Sequence, residues 1–173
     1  IDNSRSMLRQ ARKKADEAKA RVRFIHADIR TLDLPEVYDI ILIPFNSIHH
    51  LYTNRDFSEV LVKVKKHLKE EGYFIFDCFN PDIRYIVRSE EEAKVIAGYS
   101  TQDGREVVIK KTMGYENTTQ INRIKWHYFI NGQYDSVQPM DMRLFFPQEL
   151  DACLCFHGFE ILHKFGGYGD EIF

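Results

Sequence analysis

Asp39-Ile40-Ile41-Leu42-Ile43, followed at once by Pro44-Phe45-Asn46-Ser47, is the stretch that decides the fold. The β-branched run from Ile40 to Ile43 is apolar at every position, which predicts a central parallel strand covered on both faces. Polar loop residues follow this strand, and others follow two further predicted strand ends, at Asp2-Asn3-Ser4 and Ala27-Asp28-Ile29-Arg30. Because ligands bind open α/β sheets at the carboxyl ends of strands, three such ends predict a nucleotide-like pocket.

Strands and helices alternate on both sides of this stretch. Periodic apolar residues and start and stop signals predict the following elements: a helix over Ser4–Ala20, a strand over Val22–His26, a helix over Asn54–Lys69 ended by a left-handed cap at Gly72, and a buried strand over Tyr73–Phe79. Strand, helix and strand at this spacing indicate right-handed parallel crossovers. The fold class is therefore α/β, with a Rossmann-like, mostly parallel twisted sheet that has helices on both faces.

The apolar period changes from about residue 94. Asp103-Gly104 and Asn131-Gly132 are hairpin-turn signals flanked by alternating runs, which predict a roughly four-stranded antiparallel insertion over residues 94–146. Trp126 and Tyr128 face its core, and its polar face carries Arg123, Lys125, His127, Asp141 and Arg143. The predicted organisation is a core over 1–93, this insertion as a substrate cover, and a return to the core over 147–173.

The end of the chain completes the predicted core. Pro147 opens a helix over Gln148–His157 that Gly158 ends, and a last strand runs over Phe159–Phe165.

Composition limits the classes of function. The 173 residues are 44% hydrophobic and carry a net charge of −2, so there is no electrostatic case for a nucleic-acid partner. No run approaches eighteen apolar residues, and no membrane partner is predicted. The three cysteines, Cys78, Cys153 and Cys155, lie in apolar segments and are read as buried, reduced thiols of a cytoplasmic protein.

Two carboxylates have the positions expected for a nucleoside ligand. A carboxylate at Asp2 can accept hydrogen bonds from both ribose hydroxyls, although a plain helix cap is an equally good interpretation. Asp28 can accept from an adenine amine while the Ile29 N–H donates to a ring nitrogen; the alternative is a turn aspartate that binds its own backbone. Together the two acids favour adenosine.

The residues after the most buried strand are candidates for the chemical step. Asn46 can position a nucleophile, and His49 or His50 can take up its proton; loop and capping roles are the alternative. Two adjacent histidines without a third ligand do not form a metal site, so no metal is predicted. No serine or cysteine motif supports a covalent nucleophile.

With these residues in place, the chain resembles the class I S-adenosylmethionine-dependent methyltransferases of the small-molecule type, with a β-insertion after the fifth strand. The matching strings are Ile1-Asp2-x-Ser4-x-x-Met7-Leu8, Ala27-Asp28-Ile29-Arg30, Pro44-Phe45-Asn46-Ser47-x-His49-x-Leu51, Gly72-Tyr73-Phe74-Ile75-Phe76-Asp77, Lys125-Trp126-His127-Tyr128 and Met142-Arg143-Leu144-Phe145-Phe146-Pro147-x-Glu149-Leu150. Six strings in this order are specific to the superfamily and not to a substrate.

The resemblance implies a seven-stranded sheet of order 3-2-1-4-5-7-6 and S-adenosylmethionine as cofactor. It implies the following cofactor contacts: Asp2 on the ribose, Asn3 and Met7 beside the adenine, Asp28 and Ile29 on the adenine edge, and Asn46 near the methyl group. Asn80, Tyr128 and Arg143 are predicted to contact the substrate. The predicted reaction is in-line methyl transfer to an N or O atom of a small molecule, with a homodimer as a possible assembly.

The chain also departs from the family pattern. The glycine-rich loop after strand 1 and the last strand are absent from these residues, and strand 2 is represented only by Ile1. We therefore expect the 173 residues alone to be inactive, and expect strand 3 to pair with strand 4, or the edges to pair with a second chain, unless upstream residues exist. The alternative function is a non-catalytic, degenerate domain that acts as an interaction module. A nicotinamide-dependent dehydrogenase is disfavoured by Asp28 and the insertion.

Overall fold

A computed structural model describes residues 1–86, 90–169 and 171–173 of the chain. Its helices are α1 (Arg5–Glu17), α2 (Asn54–His67), α3 (Ile83–Ile86) and α4 (Pro147–Phe156), with a 3₁₀ helix at Ser47–His50. Its strands are β1 (Tyr38–Ile43), β2 (Leu68–Phe76), β3 (Glu90–Ser100), β4 (Glu106–Glu116), β5 (Ile121–Ile130), β6 (Gln133–Pro139) and β7 (Met142–Arg143). The Rossmann-like α/β class predicted from the sequence is confirmed by the fold comparison given below.

The start of α1 is fixed by two side chains from the preceding residues. The Asp2 carboxylate accepts the Ser4 N–H at 2.7 Å, and the Ser4 hydroxyl accepts the Met7 N–H at 3.3 Å as the N-cap. Capping of this kind satisfies amide groups that have no partner within the helix. The predicted helix is confirmed, and it ends at Glu17 instead of Ala20.

The predicted core sheet is smaller in the described residues than the sequence suggests. In the described residues, β1 pairs with β2, and Asp2 forms an isolated parallel bridge with His26. The predicted strand over Val22–His26 is reduced to that bridge, and its predicted direct pairing with β1 is not formed. The predicted strand over Phe159–Phe165 is also wrong, since only Phe165 bridges to Ile172.

The prediction that the central strand is covered on both faces is wrong for the described structure. Ile40 and Leu42 of β1 are 59% and 58% exposed. An apolar run of this kind is typical of a strand that is covered on both faces. In the described residues, the face that carries Ile40 and Leu42 is largely exposed.

Gly72 has a different role from the predicted helix cap. Helix α2 ends at His67, and Gly72 lies within β2 without a positive φ. A Cβ at this position would lie 2.9 Å from the Leu68 side chain and 3.0 Å from the Asp39 carbonyl oxygen. The glycine is therefore required by the close approach of β2 to the backbone of β1.

We expect Gly72→Ala to destabilise the protein, because the Asp39 carbonyl belongs to a paired strand and cannot move away freely. Crowding of a packed site of this kind costs about 1–3 kcal/mol. Gly114→Ala is the matched control, since Gly114 also lies in a strand and a Cβ there has no neighbour within 4 Å. Urea unfolding of both variants checks the prediction, and equal stabilities would contradict it.

The antiparallel insertion is confirmed and is larger than predicted. Strands β3, β4, β5 and β6 are neighbours in that order, and β7 pairs with β5 to give five strands. The turn residues Gly104, Asn131 and Gly132 have positive φ, as the two hairpin signals predicted. The buried side chains of Met113, Ile124 and Met142 form a cluster, against which Trp126 and Met140 pack. The core position predicted for Trp126 is therefore confirmed.

The C-terminal helix follows the prediction closely. Pro147 opens α4, and Gly158 follows its end with φ of +75°. The prediction that all three cysteines are buried is wrong: Cys78 and Cys153 are half-buried, and Cys155 is exposed.

The chain divides into two compact units. One contains Ile1–Leu42, Asn54–Ile75 and Cys153–Phe173, and the other contains Ile43–Thr53 and Phe76–Ala152. The largest fully buried side chains of the first unit include Phe57, Leu61 and Val60, and those of the second include Phe145, Ile48 and His49. Among the described helices, none has the length and apolar character needed to cross a membrane. The domain boundaries at residues 93 and 146 stay a prediction.

Candidate functional site

The predicted ribose ligand lies beside the parallel bridge of the first unit. Asp2 is half-buried, its N–H donates to the Ile25 carbonyl and its carbonyl accepts the Ala27 N–H, both at 3.1 Å. Its Oδ1 accepts the N–H of Ser4, the N-cap of α1, whereas Oδ2 accepts no hydrogen bond from the described residues. A role at the start of the helix and ligand binding, the two interpretations of Asp2, are thus compatible, since only one oxygen is used by the turn before α1.

Asn3 and Met7 lie at the same end of α1. The Asn3 carbonyl oxygen lies 2.9 Å from His26 Nε2, and the Asn3 side chain is exposed. Met7 is 61% exposed on the first turn of the helix. Both side chains are therefore accessible for the adenine contacts predicted for them.

Asp28 is held by the arginine that follows it. Its Oδ1 accepts the Arg30 N–H at 2.9 Å, and Arg30 Nε and Nη2 reach both carboxylate oxygens at 2.6–3.1 Å. These hydrogen bonds lower the pKa of the Asp28 carboxyl, which keeps it ionised at neutral pH. Arg30 Nη1 also donates to Asp56 Oδ1 of α2 at 2.7 Å, which fixes the loop. Asp28 therefore forms the turn that was given as the alternative to adenine binding. The neighbouring Ile29 is half-buried.

The loop that carries Asn46 has an unusual backbone. Phe45 and Asn46 are consecutive residues with positive φ, of 60° and 57°. Left-handed conformation is common for asparagine and costly for a bulky residue such as Phe45, whose side chain is 84% exposed. The Asn46 N–H donates to Asp77 Oδ2 at 3.0 Å, and the Ser47 hydroxyl donates to the Pro44 carbonyl at 2.6 Å. Asp77 thus holds this loop in place.

His49 is fully buried, and both of its ring nitrogens are engaged. Nδ1 contacts the Arg143 carbonyl oxygen, and Nε2 accepts the Phe79 N–H at 2.9 Å. A carbonyl can only accept and an amide can only donate, so the ring is neutral, with its proton on Nδ1. Burial lowers the pKa of His49, in agreement with this neutral form. The catalytic role of His49 stays a prediction, and the geometry favours a positioning role.

The other predicted residues of the second unit are accessible. His50 and Asn80 are exposed, and the His50 ring forms no hydrogen bond with the described residues. Tyr128 of β5 lies opposite Ile109 and Ser136 and lines an open groove of about 420 Å³ with Tyr99, Arg105 and Asp135. A groove with two phenols and both charges suits a polar molecule better than an apolar one.

Arg143 does not lie on the polar face of the insertion, as was predicted. It is 3% exposed, its Nη2 donates to Glu149 Oε1 and, at 3.2 Å, to Gln120 Oε1, and the guanidinium lies 4.4 Å from the centre of the Phe145 ring. Met142, Arg143, Leu144 and Phe145 are all buried in succession, so strand alternation does not hold here. Strand β7 has only two residues, and the chain then turns into the core of its unit.

Sequence reasoning missed the residues that hold the predicted ligands in place. These are Arg30, which binds Asp28, and Glu149, which binds Arg143; the hydrogen bond of the Asn46 N–H to Asp77 was not predicted either. A basic residue two positions after Asp28 was a usable signal, whereas the 31-residue separation of Asn46 from Asp77 left none.

The described residues contain no group of three histidine, cysteine or acidic side chains that could hold a metal ion. The half-buried Cys78 thiol has its pKa raised to about 11, mainly by burial, so it is protonated at neutral pH and a poor nucleophile.

Comparison with known proteins matches part of the chain to a protein family. Residues 1–72 match the sequence model of a family described as methyltransferase domain. This match covers 72 of the 173 residues. No curated protein sequence is similar enough to the chain to be matched. The match agrees with the predicted family and enzyme class, a methyltransferase, and S-adenosylmethionine is named with some of the solved structures that share the fold.

Solved methyltransferases share the fold at low sequence identity. The chain is 20% identical to an S-adenosylmethionine-dependent methyltransferase from Clostridium acetobutylicum, with a TM-score of 0.79. The match covers 97% of this chain and 66% of the Clostridium protein. CcbJ methyltransferase from Streptomyces caelestis is 19% identical with a TM-score of 0.84, and the match covers 98% of this chain and 71% of CcbJ. The sugar N-methyltransferase KedS8 from Streptoalloteichus is 21% identical with a TM-score of 0.64, and the match covers 87% of this chain and 60% of KedS8. The chain thus spans 60–71% of the length of these structures.

Proposed function

We propose that the full-length protein transfers a methyl group from S-adenosylmethionine to an amine nitrogen of a small polar molecule. The observation that supports this most concerns Asp2, which lies in the segment that matches the methyltransferase-domain family model. One of its carboxylate oxygens accepts the N–H of Ser4, the N-cap of α1, and the other accepts no hydrogen bond from the described residues. Residues of the chain fit an adenosine group. Asp2 can accept hydrogen bonds from the ribose hydroxyls, and the ionised Asp28 and the Ile29 N–H that follows it can contact the adenine edge.

The chain contributes positioning more than chemical activation. When bound, S-adenosylmethionine supplies a methyl group on a sulfonium centre, which is already an activated leaving group. Holding two reactants in line replaces much of the entropy cost of their encounter. Asp77 fixes the Asn46 loop, and the exposed His50 imidazole is the better candidate of the two histidines for taking up the amine proton.

An amine acceptor is favoured over a hydroxyl by its own chemistry. A neutral amine nitrogen carries a lone pair that attacks a methyl carbon without a strong base, whereas a hydroxyl must also be deprotonated. KedS8, whose fold the chain shares, is named a sugar N-methyltransferase. The groove beside Tyr128 has both charges on its walls, which suits a polar, amine-bearing molecule.

The test is a methyl-transfer assay on the full-length protein with methyl-labelled S-adenosylmethionine. Amino sugars, polyamines and amino acids form the first panel, and each is matched by an analogue in which a hydroxyl replaces the amine. We expect label on nitrogen for at least one amine and none on its hydroxyl analogue. Label on the hydroxyl analogues alone would replace N-methylation with O-methylation. Cofactor binding without transfer to any acceptor would support the non-catalytic alternative.

A further inference from the structure

The two loops of the second unit that carry predicted site residues are joined by two hydrogen bonds. The Asn46 N–H donates to Asp77 Oδ2 at 3.0 Å, and the Phe79 N–H donates to His49 Nε2 at 2.9 Å. The His49 and Phe79 rings also stack, with centroids 5.2 Å apart and planes 30° apart. The main chain is thereby attached one residue before Asn80. We call the segments 46–49 and 77–79, with these two bonds, the loop clamp.

We infer that His49 is a positioning residue for the methyl acceptor, whose neutral imidazole holds the loop before Asn80 at a set distance from the Asn46 loop. This inference rests on the proposed function for its kinetic consequence. Its structural part does not, because the donor and acceptor pattern alone fixes the proton on Nδ1.

The clamp requires the neutral ring. A proton on Nε2 would face the Phe79 N–H, so two donors would meet and the bond would be lost. The titratable side chains that act on the ring are Asp77 and His50. The backbone carbonyl of Arg143 accepts the hydrogen bond from Nδ1–H. The pKa of His49 is lowered in the folded state, so its stabilising effect is complete above the ordinary imidazole value of about 6.5 and is lost as pH falls below it.

His67 provides a matched control within the same chain. It is 4% exposed, its Nε2 accepts the Leu34 N–H at 2.9 Å, and its Nδ1–H donates to the Lys63 carbonyl at 2.7 Å. These two hydrogen bonds have the same pattern as those at His49, and His67 Nε2 also lies 3.5 Å from Asp33 Oδ1, but none of its partners is a predicted site residue. A role confined to folding would therefore give His49 and His67 variants the same phenotype.

The experiment compares His49→Asn with His67→Asn in the full-length protein. Asparagine keeps an amide donor and removes the ring nitrogen that accepts the backbone N–H. We expect both variants to lower the thermal midpoint, by roughly 2–12 °C. Below both midpoints, only His49→Asn should raise KM for the acceptor, roughly ten- to a hundredfold, with cofactor affinity unchanged within about twofold. Equal KM values in the two variants would overturn the positioning role.

A second readout keeps the inference testable if no acceptor is turned over. Imidazole ¹⁵N spectroscopy of the wild-type protein, assigned by the signal that His49→Asn removes, should show a proton on Nδ1 and none on Nε2. This signal should titrate below the ordinary imidazole range, since burial lowers the pKa of His49. A proton on Nε2, or titration near the ordinary value, would overturn the inference. A fixed Nδ1–H tautomer together with no methyl transfer would leave the clamp intact and would contradict the proposed function alone.

Discussion

Asp2→Ala is expected to weaken S-adenosylmethionine binding by the full-length protein, roughly tenfold to several hundredfold. The carboxylate is half-buried, and its Oδ2 accepts nothing from the described residues, so a ribose hydroxyl would gain a charge-assisted partner there. Such hydrogen bonds are each worth about 1.5–3 kcal/mol. Isothermal titration calorimetry measures the change in affinity directly.

Two control variants separate the ligand contact from the helix cap. Asp2→Asn keeps an oxygen for the Ser4 N–H and removes the charge, so we expect α1 to be retained and cofactor affinity to lie between the wild-type and Asp2→Ala values. Asp33→Ala removes an exposed acid of the same unit and should leave affinity unchanged. Wild-type affinity in Asp2→Ala would refute the assignment.

Arg143→Met is expected to cost about 3–5 kcal/mol of unfolding free energy. Only 3% of Arg143 is exposed, and its guanidinium binds Glu149 and Gln120 and lies over Phe145. Removal of one partner from a buried ion pair leaves the other charge without compensation. Urea denaturation gives the free energy and, from its slope, shows whether unfolding remains two-state.

Arg123→Met is the matched control for that variant. Arg123 binds Glu116 and Asp141 at 2.8 and 2.7 Å, but its side chain is 46% exposed, and exposed ion pairs contribute about 0–1 kcal/mol. If Arg143→Met kept wild-type stability and changed only the choice of acceptor, the sequence-based interpretation of Arg143 as a substrate residue would be restored. Similar losses in the two arginine variants would contradict the structural account.

The local patterns of the sequence predicted well wherever neighbouring residues decide the outcome. The start of α1 depends on Asp2 and Ser4, and the hairpin at Asn131-Gly132 depends on two residues that accept positive φ; both were predicted. Gly72 shows the limit. A glycine after a helical run resembles a left-handed cap, whereas its real requirement is the approach of the Asp39 carbonyl, 33 residues earlier. A contact between strands leaves no trace in the local period.

The candidate site divides in the same way. Sequence reasoning predicted the resemblance to methyltransferases, the α/β class, the acidic loop ends at Asp2 and Asp28 and the antiparallel insertion, because each depends on residue type and short spacing. Only the tertiary structure decided that His49 is a neutral, doubly bonded ring and that Arg143 is buried on Glu149. Protonation and burial depend on which distant backbone groups face a side chain, here Arg143 on His49 from 94 positions away, and chain packing alone selects those partners.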